Sequence, residues 1–433
     1  HYFQKDALRT FEIALQVVGP SDTPESLTRG IVGRPARGSG LLLLLLGDGS
    51  MTAQSVNQLA QKTAKTLETE QKVIAVGGAH EGFTLRSTAA ELLAVERVFR
   101  EHPQLEGDRI ARREIAARQS HCIDQLHRAL ESAFENASWY LAPQSSRAVV
   151  APLTVVASAL ADAGFSKAPI IKSELLQRDK PSSNSMAALR ELAHAMVNSY
   201  AHEQLGMTQY PAELGLYLTL LRPFGLHKEI EAGVFGFSEP DDSREGTSLR
   251  PAWDVIDLAG DKPLDAVYAE WARPPYGIKA GVMPVLALAY MLAKRESVAV
   301  YIDGVYQTAV DDVVVDKLLQ KPGLFRLRRI DRSVRETAFL SGLAQLLGVD
   351  HHGASLPIAA ALFQRFEALS QFAKRTTHLD PLSVKIRSVV MKADDPERLL
   401  FDDLPASLGE ELAPEVVYHA LQSAEASYPA LLD

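Results

Sequence analysis

Six consecutive leucines, Leu41 to Leu46, lie between Gly40 and the turn sequence Gly47-Asp48-Gly49-Ser50. A strand sends alternate side chains to opposite faces, so a run with no polar alternation needs apolar cover on both. Bounded by glycine and this short, it reads as a buried strand. A helical pattern follows from Ser55 to Glu70, and Lys72-Val73-Ile74-Ala75-Val76 reads as a second strand ended by Gly77-Gly78. Strand, helix, strand predicts a small α/β unit with parallel pairing. Upstream, Leu8, Phe11, Ile13 and Leu15 suggest an amphipathic helix, and Gly19 to Gly40 a connection rich in Gly, Pro and Arg.

From Ala89 to about Ala137 the pattern is helical. Asp108 is the expected cap of a second helix whose apolar stripe is Ile115, Ile123, Leu126, Leu130 and Phe134, with Arg112, Arg113 and Arg118 largely elsewhere. That stripe reads as packing core rather than as a partner surface. Helices are expected at 152–163, 168–177 and 183–198, the last with an apolar face of Met186, Leu189, Leu192 and Met196. Leu214 to Leu221 continues as helix after Pro211, and His227 to Phe237 reads as a hairpin turning at Ala232-Gly233. The pattern recurs: Leu264 to Trp271 and Gly281 to Lys294 are helical, and Val298 to Gln307 is a hairpin with Asp303-Gly304 at its turn.

These patterns predict a mainly α fold with small β elements. It comprises a small α/β unit plus long helices over 1–145, winged-helix-like modules over 146–250 and 251–330, and an acidic helical bundle over 331–433. Breakers are expected in the last segment near 379–381, 394–396 and 402–405.

Charge and cysteine usage narrow the function classes. A formal charge of -9 argues against a generally polyanion-binding surface. Residues 331–433 carry 9 basic and 15 acidic side chains, a net of -6, so most of the acidity is C-terminal. Cys122 is the only cysteine, which excludes an intrachain disulfide and fits a reducing cytoplasm. The strongest apolar stretch, Met283 to Ala293, is too short for a bilayer, and no membrane partner is expected.

No catalytic or cofactor motif stands out. Gly-Lys-Ser/Thr is absent, so the phosphate-cradling loop of P-loop enzymes is missing and no cofactor is expected. Gly47 to Ser50 fits neither a dinucleotide loop nor a nucleophile elbow and reads as a tight turn. His121, Cys122 and His127 do not converge on one helix face, and the adjacent His351 and His352 diverge, so no metal is expected. Candidate nucleic-acid contacts are Lys167, Lys172, Arg178, Lys180, Ser183 and Arg190 in the first module, and Lys294, Arg295, Arg326 and Arg328 in the second. Arg326 and Arg328 alternate on a strand and would share a face. Against this reading, residues 146–250 hold 10 basic and 12 acidic residues. Trp271 and Tyr276, flanking Pro274-Pro275, read as a stapled turn rather than a base-stacking pair.

The stretches Lys180 to Arg190, Tyr210 to Tyr217, Pro275 to Lys279 and Asp402 to Pro405 resemble the region C-terminal to the ATPase domain of large bacterial P-loop ATPases from anti-phage defence clusters of the BREX type. The resemblance runs over roughly residues 40–410. It implies a DNA- or protein-binding scaffold that couples a motor to double-stranded DNA or to other defence proteins, with any nucleotide site in another segment or chain. The alternatives are a stand-alone winged-helix transcriptional regulator and a hydrolase built around Asp48 and Ser50.

Overall fold

The computed structural model describes residues 7–33, 38–68, 72–80, 82–144, 147–173, 176, 182–295, 297–307, 309–329, 334–349, 355–393, 395–408 and 413–427. The chain is mainly helical with small sheets. It divides into two compact units. The first comprises His1–Ser182, Arg244–Ala252 and Glu270–Val282; the second comprises Ser183–Ser243, Trp253–Ala269 and Met283–Asp433.

In the first unit a four-stranded sheet has the order β1 (Phe11–Val18), β2 (Gly40–Gly47), β3 (Ile74–Gly78), β4 (Ser138–Leu141). The first three strands are parallel, and β4 is antiparallel to β3. The leucine run is β2. Its side chains split by parity: Leu42, Leu44 and Leu46 enter one core with Trp139 and Leu160, while Leu43 and Leu45 enter the other with Leu27 and Leu59. Helices α1 (Pro24–Val32) and α2 (Ala53–Leu67) cover the second of these faces. The first is covered by parts of α3 (Gly82–Glu101), α4 (Arg109–Glu135) and α5 (Leu153–Gly164).

Three expectations fail here. Residues 11–18 form a strand rather than a helix, because Phe11, Ile13, Leu15 and Val17 alternate and β2 offers an edge to pair with. The Gly19–Gly40 connection contains α1, which begins with a reciprocal Thr23/Ser26 cap. Residues 168–173 carry no regular structure, in place of the first part of a 168–177 helix. Their neighbourhood is held by tertiary bonds instead: Lys167 N–H donates to the Pro275 carbonyl at 3.1 Å, and Ile170 N–H to Ser248 Oγ at 2.9 Å.

The Pro274-Pro275 segment is a stapled turn. Trp271 is buried and its indole N–H donates to the Ala252 carbonyl at 2.8 Å. Gly277 has φ +61°, and a Cβ there would stand 2.5 Å from the Phe165 ring and 2.7 Å from Arg9 Nη1. Arg9 in turn lies 4.1 Å over the Phe165 ring and donates to the Gly277 carbonyl at 2.7 Å. Only glycine suits that position.

The second unit begins with α6 (Ser183–Asn198) and α7 (Ala212–Leu220), followed by the hairpin β5 (His227–Glu231) and β6 (Val234–Phe237). Leu189, Leu192 and Met196 of α6 are fully buried, whereas Met186 is exposed. Next come α8 (Arg244–Asp257), whose first part belongs to the other unit, and α9 (Leu264–Ala272), whose last part does too. Helix α10 (Met283–Ala293) is buried nearly all round, as its composition requires. The strands β7 (Val298–Ile302) and β8 (Val305–Tyr306) turn at Asp303-Gly304, whose φ values of 53° and 79° suit the tight hairpin turn. After α11 (Asp312–Gln320), β9 (Phe325–Arg329) pairs with β7 and makes a third strand.

Helices α12 (Val334–Leu347), α13 (Ser355–Glu367), α14 (Gln371–Arg375), α15 (Pro381–Lys392), α16 (Pro396–Arg398), α17 (Leu404–Leu408) and α18 (Pro414–Ala426) follow. Their core includes Phe339, Leu343, Ile358, Leu362, Phe366, Ile386, Leu400 and Leu421. Asp380 caps α15 as expected of a breaker, but residues 402–405 are helical: one wide π turn, Leu399–Asp403, leads directly into α17.

Candidate functional site

Of the ten residues expected to meet nucleic acid, Arg178 and Lys180 lie outside the described residues. Lys167 and Lys172 belong to the first unit and the other six to the second. Lys172 is paired with Glu245 at 3.1 Å, and the hydrogen bond from its ammonium holds that carboxyl below its usual range. In the second unit Lys294 pairs with Glu239. Arg295 lies over the Tyr200 ring at 5.4 Å, and Arg326 donates to the Asp261 carbonyl at 2.6 Å. Arg326 and Arg328 do share a face of β9, opposite Tyr301 and Ala299 of β7. Ser183 is exposed at the start of α6.

Arg190 is the most completely engaged of these residues. Its Nε and Nη2 donate to the two carboxylate oxygens of Asp316 on α11, at 2.9 and 2.7 Å. One turn further along α6, His194 places Nδ1 2.7 Å from Asp312 and Nε2 3.1 Å from Asp316. Another turn on, Asn198 donates to Asp312 at 2.8 Å. Burial works against a charged His194, but its hydrogen bonds to Asp316 and Asp312 outweigh that cost and raise its pKa above the usual value. Both ring nitrogens face carboxylates, so the imidazolium donates two hydrogen bonds. Two nitrogens facing different acids also do not form the convergent set a metal needs. Sequence reading missed His194, although Arg190, His194 and Asn198 at four-residue spacing and Asp312 with Asp316 at the same spacing were its legible signal.

His227 behaves oppositely. It is buried, with Nδ1 3.0 Å from the Tyr217 hydroxyl and Nε2 2.8 Å from the Tyr200 carbonyl. Burial lowers its pKa. The neutral ring therefore donates through Nε2 and accepts through Nδ1, and both nitrogens are satisfied.

At the carboxyl end of the parallel sheet, where α/β proteins often bind ligands, Asp48 Oδ1 accepts from Ser50 Oγ at 2.6 Å and from Ser50 N at 2.9 Å. The serine hydroxyl bond, then its N–H, pulls the Asp48 carboxyl below its usual range. A depressed carboxylate is a poor base for activating Ser50. Arg86 donates to the Gly47 carbonyl at 2.8 Å, and Thr52 caps α2, so this segment does the work of a turn. Nearby, His80 Nε2 lies 3.0 Å from Ser138 Oγ, but among the described residues no carboxylate orients its other nitrogen.

Among the described residues, no group of three or more His, Cys, Asp or Glu could hold a metal ion. Cys122 is fully buried while His121 and His127 are exposed; His351 and His352 lie outside the described residues. No helix among these residues is long and apolar enough to cross a membrane.

Large apolar side chains are also exposed. Strand β1 is the edge of its sheet, and Ile13, Leu15 and Val17 on one of its faces are 54%, 38% and 54% exposed. Helices α3 and α4 pack against each other as a two-helix arm, tied by the Arg118–Glu91 ion pair. Leu85 is the only buried residue on α3, and Cys122 and Ala133 are those on α4. No protein-family model, curated protein or solved structure matches the chain.

Proposed function

We propose that this chain is a protein-binding scaffold, the part of a phage-defence ATPase complex that joins a motor to a partner protein. The observation that carries the protein-binding reading is the open face of β1: three large aliphatic side chains in solvent on an edge strand of an otherwise well-covered sheet. The defence setting rests on the sequence resemblance alone. The two helix pairs that lead into β5–β6 and β7–β8 are read as winged-helix-like modules with a structural task. Most of their described candidate cations are engaged: Arg190 by Asp316, Lys294 by Glu239, Arg326 by the Asp261 carbonyl and Arg295 over the Tyr200 ring, while Arg328 is exposed. The first hairpin bears exposed Glu229 and Glu231 beside Lys228, a poor sign for a phosphate-binding wing.

Two measurements test this reading. Titrated with duplex DNA across a salt series, the chain shows no saturable binding even at low salt. Binding that weakens linearly with the logarithm of salt concentration would replace the protein-binding reading with a DNA-binding one. In host extract, the Ile13→Lys/Val17→Lys variant loses a partner that the parent chain retains. Retention of the same partners by both proteins counts against the scaffold.

A further inference from the structure

The α3–α4 arm ends in a connection through Pro103–Glu106, and beside it lies an open groove of about 420 Å³. Phe99 of α3 and Ile115 and Ala116 of α4 supply apolar lining; Gln119, Arg109, Arg112 and Arg113 complete it. All three arginines are exposed, and none of their guanidinium groups has an ion-pair or hydrogen-bond partner among the described residues. That sets them apart from Arg97 and Arg118 on the same arm, which are paired with Glu101 and Glu91. Ile110, 74% exposed, and Val98, 46% exposed, extend the apolar surface at this end.

We infer that this groove is a docking site for an acidic peptide segment of a partner protein, bearing an apolar anchor residue flanked by carboxylates. The inference rests on the protein-binding reading and names a partner chemistry for it. Charge complementarity selects the occupant. Three guanidinium groups with no partner among the described residues, around an apolar floor, fit carboxylates that straddle a buried side chain, and each guanidinium can hold a carboxylate through two parallel hydrogen bonds. An uncharged apolar peptide would leave the arginines unmatched. Duplex DNA would leave Phe99 and Ile115 unmatched, and it would also meet the acids of the tip. Residues 96–114 contain five arginines and five Asp or Glu, so the tip as a whole has no net positive field to hold an extended polyanion, whereas the groove lining itself carries three arginines and no acid.

The test uses the full chain and a fluorescent amphipathic peptide with Glu on one helical face and Leu on the other. Expected is saturable binding that weakens with salt and falls about tenfold or more in Arg112→Glu/Arg113→Glu. Arg112→Lys/Arg113→Lys retains part of it, and replacing the peptide's Leu by Ser weakens it. These arginines are exposed, and circular dichroism of each variant verifies that the arm remains helical. No binding of the peptide, binding unchanged by the charge reversal, or an arginine-dependent preference for duplex DNA overturns the inference. If the peptide result fails while the β1 variant still loses its partner, only the groove assignment falls and the scaffold reading stands.

Discussion

Leu15 of β1 and Leu44 of β2 are register partners in adjacent parallel strands and point to the same side of the sheet. Leu44 is completely buried, whereas Leu15 is 38% exposed. Strand type, residue type and face are shared, so the difference lies in what covers each position. Helices reach over β2 from both sides, but one face of β1 is left in solvent. The same contrast appears among the arginines. Arg190 meets Asp316 with both prongs of its guanidinium, while the guanidinium groups of Arg112 and Arg113 have no partner among the described residues. Where groups are matched, the side chains hold the molecule together; where they are left open, the chemistry is available to something else.

The sharpest test of this contrast is also the one with the largest effect. Leu44→Ala removes a side chain packed between Trp139, Leu160 and their neighbours, and is expected to cost about 2–5 kcal/mol in denaturant unfolding. A much smaller loss would show that the covered face is loosely packed and would remove the basis of the comparison.

The charged half of the comparison has a pH signature. His194 is raised above its ordinary value of 6.5, so its stabilisation is complete below about that pH and is lost as pH rises through the higher folded value. Asp312 and Asp316 are lowered from 3.8, chiefly by hydrogen bonds from Asn198 and Arg190 respectively, with His194 next in each case. Their stabilisation is complete above that pH and is lost as acid protonates the folded carboxylates. The α6–α11 contact is therefore strongest from mildly acidic to near-neutral pH. His227, lowered by burial, works in the reverse sense: its contribution is complete above 6.5 and lost as pH falls through its lower folded value. Melting measured from mildly acidic to alkaline pH should show a high-pH decline that His194→Gln flattens, with the low-pH decline attributed to His227 unchanged. An identical high-pH slope in parent and variant would show that His194 does not hold these helices through its charge.

How much of this was legible in the sequence follows from how local each signal is. The leucine run demanded two-sided burial, and the Asp108 cap, the Asp303-Gly304 turn and the α6 span depend on neighbours within a few residues. Strand β1 was misread because four apolar residues at spacings of three and two can suggest a helix when the pairing strand is not yet placed. Strand β4, only four residues long, has no pattern of its own and exists because β3 offers an edge. The basic residues were found, but their occupancy was not: Asp316 lies 126 positions from Arg190, and nothing local announces such a partner. The groove was hidden for a similar reason. Arg112 and Arg113 could be placed off the apolar stripe, but Phe99 comes beside them only after the arm folds back on itself.

The smallest expected effect is the most discriminating. Leu15→Ala makes the same chemical change as Leu44→Ala at the directly paired position, yet it removes a partly solvated side chain and creates no enclosed void. Its cost should be about 1 kcal/mol or less, because burial energy scales with the apolar area withdrawn from water. A loss as large as that at Leu44 would mean that the β1 face is covered in solution, and the edge would no longer be free for a partner. A small loss in the isolated chain that grows when the partner retained by wild type is present would locate the missing cover on that partner. Stability would then depend on partner concentration at Leu15 and not at Leu44, since only the first gains its contacts by association.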